Sequence, residues 1–186
     1  MLGALEDAVR ARLETLKVQV PRLTLGTYGG ELGDPDLLAE LVKNTPSVLI
    51  TTPKVSFRLR SNRRYAAAVV FRLIVASGAV REPDRRRGTV VDPGSYWLWE
   101  ACLRLLTGWQ HRADGASVKP TEFANLVNGK YQAQHLSVLG QGFAIELDWT
   151  IPEEPMPDLE GIDLSYHVPA DNDVAVATDT INLEIP

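Results

Sequence analysis

The sequence predicts an α+β protein: a mixed, mostly antiparallel sheet of four or five strands with two or three helices packed on it, then a C-terminal extended β-arm. Three stretches carry that expectation. In Tyr65–Ser77, YAAAVVFRLIVAS, Val69, Phe71, Leu73 and Val75 share one parity, and Ala68, Val70, Arg72 and Ile74 the other. That is a long central strand with one face fully buried. Phe143, Ile145, Leu147, Trp149 and Ile151 alternate with Ala144, Glu146, Asp148 and Thr150, the pattern of a half-buried strand. Leu2, Leu5, Val9, Leu13 and Leu16 recur at steps of three and four, which marks an amphipathic helix.

In chain order, Pro21 ends this first helix and Arg22–Gly26 is a short extended piece. Gly29 and Gly30 permit a turn with positive φ. Asp34 caps a second helix, Pro35 fits its first position, and Leu37, Leu38 and Leu41 form its buried side. Thr45-Pro46 closes it and releases a strand near 48–52. Past Pro53, Val55, Phe57 and Leu59 alternate with Ser56, Arg58 and Arg60 in a strand at 54–60. Ser61-Asn62-Arg63 turns this into the strand at 64–77, a β-hairpin. A loop from Gly78 to Gly94 follows. Asp92-Pro93 repeats the cap-and-proline signal and opens a third helix through Leu106, with Leu98, Cys102, Leu105 and Trp109 on one face and Gly108 at its end.

Residues 116–127 read as extended, and Asn128-Gly129 is a tight-turn signal leading into a strand at 130–139. Gly140 and Gly142 bracket a bend before the strand at 143–151. PEEPMPDLEG then holds three prolines and four acids, the composition of a stiff exposed linker. Ile162, Leu164, Tyr166 and Val168 alternate beyond it, Pro169–Asn172 turns, and Val174–Ile185 is extended. The division expected is a core at 1–152 and an acidic linker with a β-hairpin arm at 153–186. A lone hairpin is marginal in water, so the arm is expected on a sheet edge, its own or another subunit's.

At 186 residues and 45% hydrophobic content the chain suits one core-bearing domain with an appendage. The single Cys102 allows no internal disulfide and fits a reducing cytoplasm. MLGALEDAVRARLETL lacks the apolar centre of a signal peptide, and no apolar run approaches the roughly 20 residues of a membrane helix. A soluble intracellular protein is expected. The net charge of −5 conceals a split. In residues 1–130, 19 basic residues against 13 acidic ones leave +6; residues 131–186 hold 11 acidic residues and no basic one, −11. Such a tail either meets a basic surface, in its own subunit or a neighbour, or only keeps the protein soluble.

Catalytic and metal signatures are missing from the sequence. His111, His135 and His167 are far apart, with no second ligand at metal-binding spacing. Cys102 has no activating neighbour and reads as a core residue. Gly140-Gln141-Gly142 precedes a strand, whereas a phosphate loop needs a helix there. Asp171, Asn172 and Asp173 lack the full calcium-loop pattern. Glu153 and Glu154 have nothing in the linker to bury them and shift a pKa. No cofactor is expected and no enzyme. The basic residues are the candidates: Lys54, Arg58, Arg60, Arg63 and Arg64 on the hairpin, and Arg81, Arg85, Arg86 and Arg87 in the loop after it. A solvated face, a protein contact and a nucleic-acid contact all fit, although the exposed aromatics of a single-strand binder are not interleaved with them.

EDAVRARL, YGGELGDPDLLAELVKNTPSVLI, VVFRLIVAS, GSYWLWEACLRLLTG and LGQGFAIELDWTI, in that order and spacing, resemble the Mu-like prophage tail proteins long catalogued as a domain of unknown function. The likeness covers residues 1–152 and is most specific from Tyr28 to Ile50. It implies kinship with phage tail terminators, small α/β proteins forming a hexameric ring on the head-proximal end of the tail tube. The partners implied are further copies of the chain, the tail tube protein, a head-completion or connector protein, and DNA crossing the lumen, with no membrane. The place implied is the tail or neck of the virion, after assembly in the host cytoplasm. The alternative from another class is a nucleic-acid-binding accessory protein using the basic hairpin and Arg-rich loop. A ring needs two different patches on each subunit. The basic residues with Arg72 on one side, and Glu153, Glu154, Asp163 and Tyr166 of the arm on the other, are the interface candidates. Arg72 interrupts an apolar strand, and Glu146 or Asp148 is its expected partner, with that face covered by another subunit or by the arm.

Overall fold

The computed structural model describes residues 1–89, 92–112, 115–126, 129–152, 161–166 and 177–182. Helix α1 (Leu2–Glu14), extended by a 3-10 turn at Thr15–Val18, buries Leu5, Val9, Leu13 and Leu16 as their spacing requires, while Leu2 stays exposed. The chain turns at Pro21 into β1 (Thr24–Thr27). Helix α2 (Pro35–Lys43) is capped by Asp34, whose Oδ1 accepts from the amides of Asp36 at 2.8 Å and Leu37 at 3.3 Å. Leu38 and Leu41 are buried, but Leu37 is exposed, because it lies a residue off the stripe that faces the sheet.

Next comes β2 (Ser47–Ser61), one strand of 15 residues where the sequence predicted two. Pro53 sits inside a register shift between Thr51 and Lys54. A bulge on an otherwise unpaired stretch tolerates the missing N–H, so proline bends the strand without ending it. Arg63, at φ 63°, closes the predicted hairpin to β3 (Arg64–Gly78). The segment expected to be a loop contains the short helix α3 (Glu82–Arg87). Helix α4 (Ser95–Leu106) starts after Gly94; Asp92, predicted as its cap, instead closes a turn with Thr89. Then follow β4 (Lys119–Asn125), helix α5 (Gly129–Ala133) in place of a predicted strand start, and β5 (Leu136–Thr150). Strand β5 is continuous through Gly140 and Gly142, where a bend between two strands was predicted. A side chain at Gly142 would meet Thr121 Oγ1 at 2.5 Å, so this glycine admits the β4 bulge alongside rather than breaking the strand.

The five strands run in the order β1-β2-β3-β5-β4, with β1 parallel to β2 and the remaining pairs antiparallel. The architecture is the α+β, mostly antiparallel sheet expected. One face carries the main core: Leu5, Val9 and Leu13 of α1 and Leu98, Cys102 and Leu106 of α4 pack on Val48, Ile50, Val69, Phe71, Leu73, Val75, Phe143 and Ile145. Phe71 and Phe143 stack at 5.3 Å. Arg12 ties α1 to α4, donating from Nε to the Leu105 carbonyl at 2.6 Å and lying over the Trp109 ring at 5.4 Å. The opposite face has a smaller cluster, where Leu38, Leu41 and Tyr131 cover Leu49, Ile74, Ala76, Leu136 and Val138 at one end of the strands. Residues 1–151 form one compact unit. In the other, residues 152–186, β6 (Gly161–Tyr166) pairs antiparallel with β7 (Ala177–Asn182) from Gly161↔Asn182 to Tyr166↔Ala177. The predicted linker at 153–160 and the turn at 169–172 lie outside the described residues.

Candidate functional site

Strands β2, β3 and β5 are longer than the elements that cover them. Strand β1 pairs with β2 only as far as Ile50, and β4 pairs with β5 only as far as Ala144. Past those points the three long strands continue as a tongue built from residues 51–61, 64–70 and 145–150. On its core-side face, burial fades toward the tip. Val55 and Leu147 are partly buried, while Phe57, Leu59, Trp149 and Ile151 are exposed. Trp149 is the hub, with Phe57 edge-on at 5.8 Å and Tyr65 tilted at 5.6 Å.

The other face of the tongue is charged. Ala66 and Ala68 lie in the middle strand, and their small side chains let arginines from β2 reach across β3 to carboxylates on β5. Arg60 makes a close ion pair with Glu146 and a second contact to Asp148 at 3.5 Å, and Arg58 stands 4.0 Å from Glu146. Arg72 pairs with Glu122 of β4, which corrects the expected pairing with Glu146 or Asp148. The register explains it: Arg72 lies opposite Gly142, and the β4 bulge brings Glu122 over that glycine, whereas Glu146 lies opposite Ala68. The Arg72 side chain is 34% exposed, so the charge is half-covered by its own sheet.

The predicted basic surface divides in two. Lys54, Arg58, Arg60, Arg63 and Arg64 lie along the tongue, whereas Arg81, Arg85, Arg86 and Arg87 follow the far end of β3. Strand β3 spans 15 residues from Arg64 to Gly78, roughly 45 Å at the rise of an extended chain. Arg85 is buried and structural: its guanidinium donates to the carbonyls of Ala79 at 2.6 Å and Val80 at 3.1 Å, with His135 Nδ1 at 3.3 Å. Arg86 pairs with Glu82 at 2.8 Å, and Arg81 and Arg87 are exposed. Of the candidates in the arm, Tyr166 is exposed on β6, Asp163 lies opposite Thr180 in the β6–β7 ladder, and Glu153 and Glu154 are outside the described residues.

Sequence reasoning missed Glu122 and the aromatic tip. The alternation at Val55, Phe57 and Leu59 was visible, but the extent to which helices cover it was not. Among the described residues no three His, Cys, Asp or Glu side chains converge as a metal site would require, and no helix is long and apolar enough to cross a membrane. Cys102 is buried in the main core, and burial pushes its thiol up to about 12, far from a working thiolate.

The family described as bacteriophage Mu, Gp37 matches residues 1–149. The chain belongs to the bacteriophage Mu Gp37 family. It is thereby a Mu-like phage protein, of the structural class, and a component of the virion. No curated protein matches the chain. The Gp37 match takes in α1 to α5 and all of the five-stranded sheet except Thr150; β6 and β7 fall beyond it.

Proposed function

We propose that this protein is a tail terminator: a non-enzymatic subunit that forms a ring, six copies as the resemblance to tail terminators implies, on the head-proximal end of the tail tube. The ring stops tube growth and presents a surface to the head-completion or connector protein. Membership of the Gp37 family over residues 1–149 carries this reading. The tongue supports it, because a charged face backed by exposed aromatics serves association better than small-molecule chemistry. The C-terminal arm supplies a contact to a neighbouring subunit or ring by strand addition or charge pairing.

Particles made without this protein test the reading. Tails of uncontrolled length that fail to join heads are expected, and gold-labelled antibody should mark the neck of wild-type virions. Label at the distal end of the tail would sink the proposal. The nucleic-acid alternative has less support, since the two basic clusters are apart and Arg58, Arg60, Arg72 and Arg86 already face carboxylates. No DNA binding at about 50 mM salt is the expected result; tight binding lost steeply with added salt would favour the alternative.

A further inference from the structure

Two edges of the tongue pair with no strand among the described residues: the outer side of β2 from Thr51 to Ser61 and the outer side of β5 from Ile145 to Thr150. An unpaired edge of this length is a template for another strand. A cleft of about 190 Å³ lies along Ile145–Asp148, with Met1, His111, Arg112 and Ala116 on its far wall. The edges differ in charge. The β2 edge carries Lys54, Arg58 and Arg60; the β5 edge carries Glu146 and Asp148 on the same face of the sheet. The internal pairing leaves the outermost groups largely free, with the side chains of Arg58 and Asp148 still 76% and 75% exposed. On the opposite face both edges carry exposed apolar groups, Phe57 and Leu59 on β2, Trp149 on β5 and Ile151 just past its end.

We infer that the β5 edge of one copy pairs with the β2 edge of the next, so that the three-stranded tongue continues from subunit to subunit as one sheet. This deepens the ring reading and rests on it. Two-fold pairing of like edges would set Arg58 and Arg60 against themselves, or Glu146 and Asp148 against themselves, and like charges opposite one another destabilise a ladder. The β5-to-β2 arrangement instead puts Asp148 beside a neighbour's basic edge and Trp149 beside a neighbour's Phe57 or Leu59. It is a heterologous contact, the kind that closes into a ring. Both β2 and β5 run antiparallel to β3, hence parallel to one another. Strands around a rotation axis keep their sense, so the joining pair is parallel.

Charge reversal in the full-length chain tests the contact. Arg58→Glu and Asp148→Lys lie at exposed positions, and each places like charges across the proposed joint. Sedimentation velocity at low salt should show either variant alone needing at least about tenfold more protein than wild type to assemble. An equimolar mixture should recover wild-type assembly, because every joint then has opposite charges; recovery also shows that both variants fold. Loss with Arg58→Glu but not Asp148→Lys would overturn the inference and leave β2 meeting another β2 or the arm. Wild-type rings with both variants assembling normally would overturn it while leaving the terminator reading intact. A wild-type chain that stays monomeric at high concentration would also overturn it, and the neck labelling decides the terminator reading separately.

Discussion

The two ends of the long strands obey different rules, although they belong to the same sheet. At the clad end, around Val48–Ile50, Phe71–Ala76 and Leu136–Phe143, both faces are covered and nearly every side chain is buried. At the tongue, residues 51–61, 64–70 and 145–150 keep the same alternation, yet their apolar face thins to an exposed Phe57–Trp149–Tyr65 cluster. Their other face is a lattice of arginines and carboxylates. The difference teaches that alternation specifies a strand, while coverage decides whether its apolar parity stabilises the subunit or waits for a neighbour. The clad end holds the fold together, and the tongue is free to serve assembly.

Substitutions at the two ends should separate these roles. Phe71→Ala, at a fully buried ring stacked on Phe143, should cost about 3–5 kcal/mol in urea unfolding; a loss under 1 kcal/mol would mean that the main core lies elsewhere. Gly142→Ala adds a methyl group against Thr121 Oγ1 at the junction of the two ends, and about 1–3 kcal/mol of destabilisation is expected from the strained contact. Cys102 gives a pH signature of the clad end. Its thiol is raised from 9.0 to about 12 by burial, so the folded state holds the proton more tightly than the unfolded chain. Stability is then full below pH 9 and falls as pH rises toward 12, by about 1 kcal/mol near pH 10. A Cys102→Ala variant compared over that range should lack this slope. At the tongue, Phe57→Ala should cost under about 1 kcal/mol in the isolated subunit, because the ring is already half in water. Assembly should suffer more than folding. Glu122→Gln should have the smallest effect, about 0.2–1 kcal/mol at low salt and nothing measurable in high salt, since the Arg72–Glu122 pair is partly exposed.

Much of the clad end was legible from residue order. The helix stripe of Leu5, Val9 and Leu13, the Asp34-Pro35 cap and the buried parity of β3 all depend on neighbours within a few positions, and all stand in the structure. The site was less legible. Pro53 and the Gly140/Gly142 pair signalled breaks, but each sits inside a continuous strand, because bulges and a close approach from another strand absorb them. The nine basic residues formed one group in the sequence, whereas β3 carries five to one end and four to the other.

Periodicity therefore determined which residues alternate and which stripe is apolar. Those signals arise from backbone geometry repeating every 2 or 3.6 residues, and no distant contact is needed to produce them. Only the tertiary structure decided that Arg72 meets Glu122, that Arg60 crosses Ala66 and Ala68 to reach Glu146, and that β1 and β4 stop short of the tongue. Register and coverage are set by side chains packing between segments as distant in the chain as Arg64 and Thr150, which no local pattern encodes.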